Sequence, residues 1–418
     1  MRKKHFLFAS VLALLCSSST LHAQDFKLTS SGYFKNQGVD VMAFDDIYPE
    51  GHQGGVCIIM NGHRVATNGD IRLEATPGQW QPVPKQLDRK LGDNSITATL
   101  CYPDSSRHLT GFNPMIYPDL HLIYTVNVES KGKNIEVTVD LDRPIPQEFI
   151  GKVGFNLEFF PGSLFGKPWI MDGQSGIFPQ QPNSPLMTTQ PNYLHTGNYH
   201  DGKQSLADMD KLIGKGYSPI VADDIISEPY AKGRKFTSRP DDPYNKVTIE
   251  SLSGDLQLFD GRMNHNNGWF VLRSNIKPGV TKGAVKWIIT PNVVADWMYQ
   301  PVIQTSQIGY HPTQDKEAVI EMDIRDNRKE TAQIIRIDAD GEKVVKNVTP
   351  ANWGKFLRYN YLKVNFTDVK EPGLYKIKYN TSVSPIFRID NDVYARGVWQ
   401  PVLEYFLPVQ MCHMRVNE

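Results

Sequence analysis

The sequence predicts a mainly β protein: a large β-sandwich-like domain over residues 24–301, an immunoglobulin-like β-sandwich over 302–390, and a helical segment over 391–418. Three observations carry this. Short runs alternating apolar and polar residues recur along the chain between Asn-Gly, Asp-Gly and Pro-Gly turns, the period-two pattern of half-buried strands. Seven such runs fall within 302–390, the density of an immunoglobulin-like sandwich. After Asp390 the apolar spacing changes to that of a helix.

The chain starts with Arg2, Lys3 and Lys4, an apolar run from Phe6 to Leu15, and Leu21-His22-Ala23 before Gln24. This is the layout of a secretory signal over residues 1–23, so an exported protein, periplasmic or extracellular, is expected. Cys16 follows Leu15, where a lipoprotein signal normally has a small residue; cleavage after Ala23 is therefore preferred over lipid anchoring at Cys16. No later stretch has the roughly 20 apolar residues of a transmembrane helix.

At 418 residues the chain calls for two or three domains, and 11% aromatic with 22% charged residues indicates a globular protein. The 45 basic and 45 acidic residues balance, and without residues 1–23 the charge is about −3. No basic run stands out, so no nucleic-acid partner is expected. Cys57 and Cys101 both sit in strand-like runs and read as small buried hydrophobes, with a disulfide between them as the alternative.

In the first domain, Val56–Met60 is followed by Asn61-Gly62, and Arg64–Thr67 by Asn68-Gly69, two hairpin signals. Further strands are expected at Ser95–Tyr102, Leu120–Glu129, Ile135–Leu141 and Val153–Phe160, with Lys131-Gly132-Lys133-Asn134 as a hairpin turn. A last group falls at Lys246–Leu252, Leu256–Phe259, Trp269–Arg273 and Val285–Thr290. From Pro161 to Gly216 the pattern gives way to a long insertion holding Trp169, Tyr193, His195, Tyr199, His200 and Asp201. Flat aromatic faces can stack on pyranose rings, which makes Trp169 and Tyr193 carbohydrate-binding candidates; equally, these rings can pin the insertion to the sandwich. Trp269, after the polar turn Asp260–Gly268, is a third candidate, although turn chemistry alone explains the Asp, Asn and Gly there. His195 and His200 have no third ligand at a recognisable spacing, so neither a metal nor a cofactor is expected.

The second domain has runs at Val302–Ile308, Ala318–Asp323, Ile334–Ile337, Lys343–Val348, Tyr361–Phe366, Leu374–Tyr379 and Ile386–Ile389. Three segments in it, Gln307-Ile308-Gly309-Tyr310-His311-Pro312, Gly373-Leu374-Tyr375 and Ser384-Pro385-Ile386-Phe387-Arg388-Ile389, resemble the immunoglobulin-like module that precedes the catalytic domain of glycoside hydrolase family 9 cellulases. The resemblance spans about 110 residues from Thr305. It extends to Val393-Tyr394 and Val402–Cys412, which resemble the first helix of that family's helical (α/α) barrel. The apolar stripe at Val398, Val402, Tyr405, Phe406 and Val409 gives that helix a face in need of a partner, with Pro401 and Pro408 expected to kink or divide it. The resemblance implies a chain truncated at the start of the barrel, with Tyr394, Trp399, Tyr405 and Phe406 packing between domains.

Glycoside hydrolysis needs two carboxyl groups flanking the scissile bond. In the family resembled, the base lies in an Asp-Ala-Gly-Asp motif within the barrel. Here Asp338-Ala339-Asp340-Gly341 has the wrong order and lies between two strands, where Asp-Gly makes a turn. No catalytic residue is therefore assigned in this chain, and the implied catalytic carboxylates lie beyond Glu418. No phosphate loop, His-Glu-x-x-His or Gly-x-Ser-x-Gly motif occurs. The expectation is the non-catalytic front part of a secreted family 9-like endoglucanase, with β-1,4-glucan and the missing catalytic domain as partners. The alternatives are a free-standing carbohydrate-binding or scaffold protein, and a first domain that is itself an enzyme.

Overall fold

The structure, a computed structural model, describes residues 25–45, 47–48, 51–52, 54–74, 76–77, 84–102, 120–182, 186–187, 226–263, 268–395 and 397–412. The chain divides into two units, Met1–Trp297 and Met298–Glu418.

The first unit is a sandwich of two antiparallel sheets, nine described strands in each, around one apolar core. In chain order these strands are β1 (Lys27–Leu28), β2 (Phe34–Asn36), β3 (Val39–Ala43), β4 (Val56–Met60), β5 (His63–Leu73), β6 (Lys85–Leu91), β7 (Ser95–Cys101), β8 (Ile123–Lys131) and β9 (Asn134–Leu141). There follow β10 (Val153–Phe159), β11 (Pro168–Met171), β12 (Gln174–Ile177), β13 (Ala231–Gly233), β14 (Lys235–Ser238), β15 (Val247–Ser251), β16 (Leu256–Asp260), β17 (Phe270–Asn275) and β18 (Val285–Pro291). One sheet has the order β1-β2-β3-β4-β5-β10-β17-β16-β13 and the other β12-β11-β14-β15-β18-β9-β8-β7-β6.

Period-two patterning explains the core. On β9, Ile135, Val137, Val139 and Leu141 are buried and the residues between them are half-buried. Phe155 of one sheet meets Trp287 of the other edge to face, ring centroids 5.0 Å apart, and the Trp287 indole N–H donates to Ser274 Oγ at 3.1 Å. The central strand β10 is buried at every residue, including Asn156 and Glu158.

Asn61-Gly62 forms the expected turn, both residues at positive φ (52° and 84°), and Gly132 (62°) turns β8 into β9. Asn68-Gly69 does not make a hairpin. It lies inside the eleven-residue strand β5 as a bulge, where the register shifts against both β4 and β10. Pairing on both sides holds the strand straight through the Asn-Gly pair. Asn68 takes the positive φ (55°), and its amide donates to Glu158 Oε2 at 2.6 Å. Cys57, buried on β4, and Cys101, half-buried on β7, are both thiols on different sheets.

The second unit is a smaller antiparallel sandwich with its own core. Its strands are β19 (Val302–Gln304), β20 (Glu317–Asp323), β21 (Ala332–Asp338), β22 (Gly341–Val348), β23 (Ala351–Phe356), β24 (Tyr359–Asn365), β25 (Gly373–Tyr379), β26 (Ser382–Val383) and β27 (Phe387–Ile389). One sheet runs β19-β20-β24-β23; the other runs β22-β21-β25-β26, with β27 also paired to β25. Asp338 pairs with Gly341 across a tight turn, so Asp338-Ala339-Asp340-Gly341 is a hairpin.

The entry strand stops at Gln304, short of the expected Ile308. Gly309 adopts φ +102°, and a Cβ there would lie 2.3 Å from the Arg388 carbonyl oxygen, so only glycine fits. Tyr310 N–H donates to Arg388 O (2.9 Å), and Asp390 N–H donates back to Tyr310 O (3.1 Å). Helix α1 (Gln400–Cys412) is the only α-helix among the described residues, and none there is long and apolar enough to cross a membrane. Pro401 sits in its first turn, where a missing N–H is harmless, and of the kink or division expected at Pro408 the helix shows no division there.

Gly69→Ala tests the bulge. A Cβ there would come within 2.6 Å of Val56 Cβ and 2.9 Å of Val56 O. The variant is expected to lose about 1–3 kcal/mol of stability in urea denaturation; unchanged stability would mean that the two strands part easily at this point.

Candidate functional site

The exposed apolar surface at the end of the second unit is built from the segment after β27. Ile308, left outside the sandwich by the Gly309 turn, lines one shallow pocket with Val398, Trp399, Val402, Leu403 and Phe406. Trp399 is 54% exposed, Tyr405 71% and Phe406 54%, so the helix presents rings to solvent. Tyr405 and Phe406 pack edge to face at 5.9 Å, and the exposed Tyr394 donates its hydroxyl to Gln314 Oε1 at 2.7 Å. The geometry brings Trp399 and Phe406 together in one groove, with Tyr405 beside it and Tyr394 anchored to the turn after β19.

That turn has a support that the sequence reading missed. Lys316 is fully buried, and its ammonium donates to the carbonyls of Pro312 (2.8 Å), Gln314 (3.0 Å) and His311 (3.4 Å). Burial lowers its pKa, and nearby Lys370 adds to the effect. A lysine just after a Gly-Tyr-His-Pro turn is a usable sequence signal only once that turn is known to curl over it.

The carbohydrate-binding candidates of the first unit fare differently from one another. Trp169 lies on β11, not in an irregular insertion, and is buried. It pairs with Gly176 of β12, where a Cβ would approach the indole to 2.4 Å, so the ring is packed into the sheet and has no open face for a sugar. Trp269 is half-buried, edge to face with Phe160 at 4.5 Å. The turn before it serves packing: Arg262 forks onto Asp260 (2.8 Å), donates to the carbonyls of Pro179 and Gln180, and lies over the rings of Phe165 and Phe270. Tyr193, with His195, Tyr199, His200 and Asp201, lies outside the described residues.

The most unusual chemistry of the first unit is an ionic cluster on adjacent strands β5, β10 and β17. Asp70, Arg72, Glu74, Asn156, Glu158 and Arg273 are all buried. Arg273 Nη1 contacts Glu74 Oε1 (3.2 Å) and Asn156 Oδ1 (3.3 Å), and its Nη2 donates to the Glu74 carbonyl (2.8 Å). Asn156 Nδ2 donates to Glu74 Oε1 at 2.5 Å, and Tyr124 donates its hydroxyl to Asp70 (3.0 Å). Burial raises the Glu74 pKa to about 7, against the opposing pull of Arg273 and Arg72. Among the described residues no group of His, Cys, Asp or Glu is placed to hold a metal.

The family described as the cellulase N-terminal ig-like domain matches residues 298–384, which takes in the second unit from its start through β26 and stops before β27 and the helix. Curated proteins give no match. Among solved structures, "Crystal Structure Analysis of HI1317" aligns at 10% identity with a TM-score of 0.26, covering 60% of this chain and 98% of that one.

Two variants probe the cluster. Arg273→Met leaves a buried carboxylate without its cation and is expected to cost about 3–5 kcal/mol by urea denaturation. Glu74 holds its proton more tightly folded (about 7) than at its ordinary value of 4.5. Its contribution is therefore full below pH 4.5 and lost as pH rises through about 7. Glu74→Gln should flatten the stability profile across that window; an identical slope in both proteins would show that Glu74 does not titrate there.

Proposed function

We propose that this chain is the non-catalytic front of an exported glycoside hydrolase related to family 9 endoglucanases, in which the immunoglobulin-like module braces a helical catalytic domain acting on β-1,4-linked glucan. One observation carries the reading: the unit whose residues 298–384 match the cellulase N-terminal ig-like domain is followed by a helical segment in which Trp399, Leu403 and Phe406 form an exposed apolar groove with Ile308. An exposed apolar groove of that kind marks an interaction surface, and a neighbouring helical domain is the cover that the family resemblance supplies. The signal-like residues 1–23 support export. No pair of carboxylates is assigned as acid and base. The buried Glu74 and Glu158 are held in a network of arginine and asparagine, and serve packing on this reading.

Two measurements test this. The purified 418-residue chain is expected to release no reducing ends from carboxymethylcellulose or xyloglucan, and clear release would overturn the non-catalytic assignment. The reading frame is expected to run past Glu418 into helical hairpins bearing an Asp-Ala-Gly-Asp motif. A stop codon at that point, with a stable monomer, would sink the bracing role.

A further inference from the structure

The outer face of the four-stranded sheet in the second unit carries a row of aromatic rings that bracing does not use. Tyr299, before β19, lies 5.2 Å from Tyr359 between ring centroids; Tyr359 lies 6.1 Å from Tyr361, and Tyr361 lies 5.6 Å from Trp353 on the edge strand β23. Trp353 is 56% exposed.

The backbone is shaped to hold Trp353 outward. Between β23 and β24 the register passes from Asn352↔Leu362 to Gly354↔Tyr361, which makes Trp353 the extra residue of a bulge. Gly354 completes it at φ +126° with open space where a Cβ would be. Bulges re-aim side chains and blunt edge strands. Leaving an indole in water forgoes the burial energy of one of the largest apolar side chains, so a bulge that achieves this points to a ligand for the ring.

Charge says which ligand. Glu321, opposite Tyr361 in register, accepts from the hydroxyls of Tyr299 (3.0 Å) and Tyr361 (3.2 Å). The ionised neighbours compensate one another: Lys363 with Glu317 at 3.0 Å, and Arg325 with Asp323 at 2.7 Å. The row thus offers rings, hydroxyls and the Glu321 carboxylate as acceptor, with the neighbouring Lys363 and Arg325 each ion-paired. A polyanion would be repelled by Glu321, and an apolar protein surface would bury that carboxylate without a cation. An uncharged chain of pyranose rings suits it: its apolar ring faces stack on the aromatics and its hydroxyls donate to Glu321 and the tyrosines.

We infer that Trp353, Tyr361, Tyr359 and Tyr299 form a glycan-binding strip on the module for a neutral polysaccharide chain. The inference rests on the proposed function only for the choice of β-1,4-glucan as the polymer; the strip itself does not depend on the helix groove.

The test is affinity electrophoresis of the full chain in gels containing hydroxyethylcellulose, with tryptophan fluorescence titrated by cellohexaose. Retardation and quenching are expected in the native protein, with binding about tenfold weaker in Trp353→Ala, as for loss of one stacked ring. Trp353→Phe, which keeps a ring, should recover most of that loss. Several outcomes would overturn the proposal: no retardation of the native protein, equal binding by Trp353→Ala, or retention only by an anionic polymer. Sedimentation showing self-association that Trp353→Ala abolishes would also overturn it, by making a second copy the occupant. Each result leaves the bracing role to its own tests.

Discussion

The second unit depends on a backbone exchange of two hydrogen bonds. Tyr310 donates to Arg388 O and accepts from Asp390 N–H, making a parallel bridge in an otherwise antiparallel sandwich. The exchange is possible only because Gly309 brings the chain against Arg388 where no Cβ fits. Once placed, the Tyr310 ring packs edge to face on Phe366 and Phe387, and its hydroxyl donates to Glu317 O. The entry segment, β20 and β27 are thereby joined through one residue. The same link leaves Ile308 outside, beside the residues that lead into α1, so one wall of the apolar groove is set by the core of the sandwich.

The first unit uses a different device. Its core is apolar and continuous, yet the ionic cluster of Asp70, Arg72, Glu74, Asn156, Glu158 and Arg273 is buried on and beside its central strands. Burying ions contributes little net stability, because the desolvation cost offsets the attraction. Register is what they can specify. Arg273 on β17 contacts Asn156 on β10 and both the side chain and the carbonyl of Glu74 just past β5. A slip of one residue on any of these strands would turn a charge toward the core without its partner. Apolar alternation alone opposes a one-residue slip but tolerates a slip of two, which keeps each side chain on its face; the ionic cluster opposes both.

How far the fold was legible follows from burial. Strands with one wet and one dry face, such as β9, announce themselves by alternation, and the mainly β class with an immunoglobulin-like module was readable. β6 was missed because Lys85–Leu91 is charged and mostly exposed, and β23 because a bulge breaks its period. Asn68-Gly69 misled for the opposite reason: its local turn preference is real, but pairing on both sides of β5 overrides it. Trp169 looked like part of an insertion because Pro, Gly and Gln surround it, and one of those glycines proves to be the space that its indole fills. Of the candidate site, the rings of the helix were readable from spacing. The Asp70, Arg72, Glu74 alternation was also there to be seen, as charges at every second place of an apolar strand. The role of Ile308 was not readable, since it comes from a turn closed by residues eighty positions away.

The two unexplained apolar features of the second unit differ in chemistry, and the difference separates their partners. The groove of Ile308, Trp399 and Phe406 is lined by apolar side chains, with the Trp399 indole N–H as their one polar group, so it fits another apolar surface and would hold a hydroxyl-rich chain poorly. The row from Trp353 to Tyr299 interleaves its rings with tyrosine hydroxyls and the Glu321 carboxylate, so it fits a ligand that is apolar on one face and hydrogen-bonding at its rim. Covering the groove with protein leaves the row's chemistry untouched, because the two draw on different elements: α1 and the turn at Gly309 for one, β20, β23 and β24 for the other. On the proposed reading, a module with one protein-facing and one glycan-facing surface would tie a catalytic domain to its polymer without contributing to bond cleavage.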